Sequence, residues 1–273
     1  MKRSLLCALC ALGLWGCSSD PRVAKDAANT IVATTLRSYG VEQADAVALA
    51  SLEAERALPL IGSQDLVGAQ AAWIRARLAY DRGTALFKLA APELDVLIDG
   101  ELDNPLTRTG LRIFEQPLFG LPTADALTLN RGGRALSEAA VRLPVAMADT
   151  GRTLDVGALF GAMSGLVVVM GTKLDGSDSP FAHQSLLSAQ MGLGGIFAMY
   201  QPLSKLIHSV DAALDDQIQA LLSGLLGQLD GVTNTDQVRD KALFLRRSAE
   251  LSQVLLQVAP ALGLTVTAVV DVT

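Results

Sequence analysis

The sequence predicts an all-α protein, and three observations carry that reading. Half of the 273 residues are hydrophobic but only 4 % are aromatic, so the apolar surface is mostly Leu, Ala and Val, which suits packed helices. Apolar residues recur at spacings of three and four in several long segments. Pro and Gly fall between those segments, where helices stop and start.

The first residues read as a targeting signal rather than as structure. Lys2 and Arg3 form a charged start, Leu5–Trp15 an apolar run, and Leu14-Trp15-Gly16-Cys17 resembles a lipoprotein signal-peptidase site. A plain secretory signal would supply the charged and apolar parts as well. The expected division is a signal peptide over 1–16 and a lipid-anchored linker over 17–20, with Cys17 as the lipidated residue. Serine directly after the cysteine, as at Ser18, is the lipoprotein pattern for the periplasmic side of the outer membrane. Cys7, Cys10 and Cys17 all lie at or before the cleavage point. The mature chain then has no thiol for disulfides or for thiolate-held metal. Its 20 basic and 28 acidic residues give a charge of −8, against −6 for the whole chain. Nucleic acid is therefore excluded as a partner, because phosphate neutralisation needs clustered Lys and Arg. Cations and neutral ligands remain compatible.

Taken in order, Pro21–Ser38 opens with a proline suited to a first helical turn and spaces Val23, Ala27, Ile31 and Leu36 nearly as a helix does. Val41–Leu58 is a second helical run, closed by Pro59 and Gly62. Ser63 is the N-cap of a third, in which Val67, Ala71, Ile74 and Leu78 mark an apolar face. The stretch Asn104–Gly120 is a turn, then a short amphipathic run, then a stop at Pro117. Arg112 and Glu115, three apart, share a helix face there. Thr123–Leu129 and Leu136–Met147 are helical pieces separated by the turn signal Arg131-Gly132-Gly133-Arg134. Gly151–Asp155 divides the chain into a first helical half, 21–150, and a second, 151–273.

The second half opens with Val156–Thr172, an uncharged run long enough to raise the question of a membrane span. Ser179–Ser204 and Leu251–Val270 also lack Lys, Arg, Asp and Glu. Gln, Ser, His and Pro within these runs, and the absence of a basic flanking pattern, favour buried helices of a soluble bundle. Leu214, Ile218, Leu221, Leu222, Leu225 and Leu229 make a strong amphipathic helix, and Val238–Leu262 makes the last. The β-branched tail Thr265–Val270 reads more like a strand.

Three segments carry a family resemblance. Gly110-Leu111-Arg112-Ile113-Phe114-Glu115 resembles the G-x-H-x-x-E motif of the imelysin-like family, which includes the EfeO-type periplasmic iron-uptake lipoproteins. Gly110 and Glu115 match, and Arg112 stands where the family has its histidine. Ala72–Arg82 is similar to the family's A-R-x-x-Y-E-R segment, with Asp81 in place of the glutamate and Gly83-Thr84 where a second glutamate follows. His183–Gln190 with Gly195 is similar to the S-H-T-D-L-x-D-F-Q-A-N-x-D-G stretch, with Ser185 and Ser188 at aspartate positions. The resemblance spans residues 40–205. It implies two antiparallel helical bundles in a duplicated arrangement, with a site between the halves.

The metal ligands this resemblance implies are Glu115, Asp81 and His183, and the implied ion is a divalent metal (iron, zinc or copper) in a degenerate site. Arg112 cannot ligate, because a guanidinium stays protonated and offers no lone pair. The expectation is that Arg112 supplies the positive charge itself, neutralising Glu115 and Asp81. A solvated Arg112–Glu115 surface pair is the plainer alternative, and His183 near Pro180 also suits a helix-start residue. His208 takes no assigned role. Trp73 and Tyr80 read as core or groove wall. No H-E-x-x-H holds a zinc beside a general base, and no G-x-S-x-G marks a nucleophile. The expected function is a non-catalytic, membrane-anchored binding protein of the iron-uptake type. The alternatives are an envelope scaffold that docks another protein without binding metal, and a metallopeptidase-like hydrolase.

Overall fold

The computed structural model describes residues 21–57, 66–100, 110–120, 126–152, 154–176 and 179–265. The signal peptide, Cys17, and the tail 266–270 read as a strand lie outside the described residues. Those described are helical apart from their turns, with no strand among them, as the composition leads one to expect.

The chain runs through α1 (Pro21–Ile31), a π-helical turn (Val32–Leu36), α2 (Arg37–Ala57), α3 (Leu66–Ala90) and α4 (Pro92–Asp99). It continues with α5 (Gly110–Phe119), α6 (Ala126–Ala148), α7 (Val156–Thr172), α8 (Ser185–Val210), α9 (Ala212–Leu229) and α10 (Lys241–Ala261). Helix α2 packs along both α3 and α6, α7 packs against α10, and α3 crosses α8. Asp155, Asp211 and Asp240 cap α7, α9 and α10 by accepting the N–H of the third residue beyond, which satisfies an otherwise orphaned donor. The predicted apolar stripe of α9 is the buried one: Leu214, Ile218, Leu221, Leu222, Leu225 and Leu229 all face the core.

Three expectations need correction. The two N-terminal helices are one unbroken helical run from Pro21 to Ala57, joined through the π-helical turn, and Gly40 lies inside it against α6. A Cβ there would lie 2.4 Å from the Met147 methyl of α6. Likewise Arg131–Arg134 does not interrupt α6, where Gly132 lets Ile113 and Phe114 of α5 approach. Pro117 does not stop α5, which runs two residues past it.

The buried face of α3 also differs from the expected one. Val67 is 75 % exposed, and Ala71, Ile74 and Leu78 are only half-buried. The interior instead receives Ala69, Trp73, Ala76, Tyr80, Gly83 and Phe87, together with the charged Arg77 and Asp81. Small residues on that face admit α2 and α8 closely, and ion pairing offsets the burial of charge. At the crossing with α8, a Cβ on Gly195 would sit 2.2 Å from the Arg82 carbonyl, so only glycine permits this approach.

Helix α7 is the one described helix long and apolar enough to cross a membrane; Val156–Asp175 has a mean hydropathy of 1.5. Two-thirds of its apolar window is buried, against α10, α3 and α8. At its crossing with α10 the Ser164 and Ser252 hydroxyls meet at 2.8 Å, satisfying two polar groups inside the core. Arg37 closes the far end of α6 by donating to the carbonyls of Met147, Asp149 and Arg152, where a helix leaves acceptors unpaired.

Candidate functional site

The residues singled out in the sequence are carried by α3, α5 and the turn leading into α8. Two hydrogen bonds from α3 fix α5: Trp73 Nε1 donates to the Leu111 carbonyl at 2.7 Å, and Gln70 Nε2 to the Leu118 carbonyl at 2.6 Å. Trp73 also meets Phe119 edge-to-face with ring centres 5.2 Å apart. Trp73 and Tyr80 are therefore core residues. Gly110 opens α5 at φ +58°, and a Cβ there would lie 1.9 Å from the Ile98 carbonyl. The glycine of the motif is thus required by close backbone contact with α4.

Asp81 is 2 % exposed and enclosed by donors. Lys173 Nζ lies 3.0 Å from its Oδ1, Arg77 Nε 3.2 Å from its Oδ2, and the Ser188 hydroxyl donates to Oδ2. Lys173 belongs to the 3₁₀ turn (Lys173–Asp175) that ends α7, and it is itself 3 % exposed. Its ammonium also reaches Ser188 Oγ at 2.5 Å.

Arg77 continues the chain of charges to Asp99, whose Oδ1 is 2.5 Å from Nη1. Asp99 in turn receives Arg112: Nε lies 3.2 Å from Oδ1 and donates to the Asp99 carbonyl at 3.1 Å. Lys173, Asp81, Arg77, Asp99 and Arg112 thus alternate in sign through the interior. The cations on Asp81 are Lys173 and Arg77, in place of the expected Arg112, which is held by Asp99.

Glu115 is buried and faces the turn before α8. Its Oε1 accepts from the Ser179 hydroxyl at 2.8 Å and from the backbone N–H groups of Phe181 and Ala182 at 3.1 and 3.0 Å. That turn is further closed by the Ser179 N–H donating to Ser185 Oγ. His183 lies in the same turn with φ +55°, exposed, its N–H bonded to the Ser179 carbonyl. The start of α8 therefore touches both carboxylates, Glu115 through residues 179–182 and Asp81 through Ser188. It does not bring Glu115, Asp81 and His183 into one ligand set. Among the described residues, three metal-capable side chains converge elsewhere, at His208, Asp215 and Asp216.

A second buried polar group lies beside this network. The Tyr80 hydroxyl donates to Asp95 Oδ1 at 2.6 Å, and Lys88 Nζ stands 3.9 Å from Oδ2. Burial raises the Asp95 carboxyl from 3.8 to about 6, with Asp99 adding to the rise while the Tyr80 hydroxyl and Lys88 oppose it. Tyr80 is shifted upward as well, first by burial and then by the charge of Asp95.

Lys173, Asp99 and Asp95 belong to the site beyond the residues that the sequence motifs mark. Lys173 had a visible signal, as the first charge after a 17-residue uncharged helix. Chemically, the Asp81 centre is an ion-pair network with its cations built in. Its hydroxyl–amine contact, Ser188 Oγ with Lys173 Nζ at 2.5 Å, is tied on both sides to the Asp81 carboxylate. No protein-family model matches this chain, and no curated protein matches it.

Proposed function

We propose that the protein is a non-catalytic binding protein of the cell envelope, tethered through Cys17 to the periplasmic side of the outer membrane. In this reading its helices form the imelysin-like pair of antiparallel bundles, and its own side-chain cations fill the place where iron-uptake relatives take a metal. The supporting observation is the Lys173 ammonium on Asp81, with both groups almost fully buried. An ion of the implied kind would need Asp81 and Glu115 as open ligands. Asp81 is instead neutralised by Lys173 and Arg77, and Glu115 is committed to three donors of the 179–182 turn. The residues present therefore do not fit the implied metal. The ligand is then an envelope protein or uptake component rather than the ion itself.

The test is calorimetric titration of ferrous iron, zinc and copper into the full chain, with Asp81→Asn and Glu115→Gln beside it. The proposal expects the same metal stoichiometry in all three proteins. Stoichiometric binding lost in either variant would overturn it.

A further inference from the structure

The chain contains two corners built on one plan, and their differences point to a cation site. The Tyr200 hydroxyl donates to Asp215 Oδ1, fifteen positions on, as the Tyr80 hydroxyl does to Asp95. The match, 120 residues apart, extends to Thr84 with Ser204, Lys88 with His208, and Leu94 with Leu214. In both corners the residue eight past the tyrosine faces the same aspartate. Lys88 Nζ is 3.9 Å from Asp95 Oδ2, and His208 Nδ1 is 3.2 Å from Asp215 Oδ2. Three of the changes between them alter the charge around the aspartate: Lys88 corresponds to His208, Val96 to Asp216, and Asp99 to Gln219. The first corner holds its own fixed cation. The second lacks that cation and carries its second carboxylate directly beside the aspartate, at Asp216.

The imidazole and both carboxylates each offer one ligand atom, all within 4.8 Å of one another. A separation of 3.2 Å between Nδ1 and Oδ2 suits two ligands each about 2.0–2.1 Å from one zinc ion. Asp215 is 2 % exposed and is held in place by Tyr200, Ser204 and Gln219, the outer support that orients a metal-binding carboxylate. His208 is 55 % exposed and Asp216 is exposed, which leaves the ion a path from water.

We infer that His208, Asp215 and Asp216, at the junction of α8 and α9, form a site for a borderline divalent cation of the zinc type. Mixed imidazole and carboxylate ligands select that class, and two carboxylates balance its charge. The metal takes the place of the Nδ1 proton on His208, and solvent completes the coordination. This centre shares no residue with the Asp81 network.

Zinc alone, titrated into the full chain, tests the inference. One zinc per chain is expected, with affinity reduced at least tenfold in both His208→Ala and Asp216→Asn and unchanged in Glu115→Gln. His208→Lys, which copies the first corner, should keep the fold by circular dichroism and abolish binding. The absence of zinc binding to the unaltered chain would overturn the three-ligand site. So would binding that survives Asp216→Asn, which would indicate a lone histidine.

Discussion

Lys173 and Asp81 stand 92 positions apart in the chain and meet at 3.0 Å, one 3 % and the other 2 % exposed. The contact joins the end of α7 to the middle of α3, so the two halves of the sequence share one buried ion pair. Burying a charge is offset only when its partner and hydrogen bonds are in place, and Ser188 and Arg77 complete that requirement here.

Removing one member leaves the other charged and unpaired in the interior. Lys173→Met should therefore destabilise the protein by about 3–5 kcal/mol. Urea unfolding followed by circular dichroism at 222 nm measures this, and a loss below ~1 kcal/mol would place the pair in solvent-like surroundings.

Glu115 is expected to act as the clasp of the turn that starts α8. Glu115→Ala would orphan the Ser179 hydroxyl and two backbone N–H groups, at about 1–3 kcal/mol for each group that stays buried and unsatisfied. Hydrogen exchange at Phe181 and Ala182 should accelerate, while amides in α10 keep their order of protection.

Asp95 makes stability depend on pH with a definite sign. Its folded value near 6 lies above the ordinary 3.8, so between those values the folded chain keeps a proton that the unfolded chain has released. Stability is therefore lost as pH rises from about 4 to about 6. Asp95→Asn keeps an acceptor for Tyr80 and removes that decline, a difference on the order of 2–3 kcal/mol at pH 7. Unfolding curves collected between pH 4 and 7 should converge for the two proteins at the acid end.

Gly195 should not tolerate a methyl group. The obstacle 2.2 Å from its Cβ position is the Arg82 backbone carbonyl, which no side-chain rotation can relieve. Gly195→Ala is expected to cost about 1–3 kcal/mol, read as a lower thermal midpoint.

The helical class was legible because it rests on local pattern. Val156–Thr172 emerged with the expected bounds, since an uncharged run after a capping Asp155 defines its own ends. The leucine stripe of α9 did too. Gly132 misled because a glycine breaks a helix and also admits a neighbour, and only the neighbour distinguishes the cases. The face of α3 was misread for a related reason: alanines and paired charges line the interior while Val67 points outward. Within the site, the depth of Glu115 and Asp81 could not be read from spacing, nor could the reach of Lys173 across the fold. The repeat of Tyr80 and Asp95 in Tyr200 and Asp215 was present in the sequence, but it is too sparse to stand out before the hydrogen bonds are seen.

A double-mutant cycle on Lys173 and Asp81 tests the central claim most directly, that the protein's own lysine is the counter-ion of Asp81. Stability would be measured for Lys173→Met, Asp81→Asn and the pair together, with and without added zinc or ferrous iron. The account predicts a coupling of about 2 kcal/mol or more, with the double variant far less damaged than the two losses summed, and no change in coupling with metal. Additive losses, or a metal-dependent stabilisation that disappears with Asp81→Asn, would contradict it.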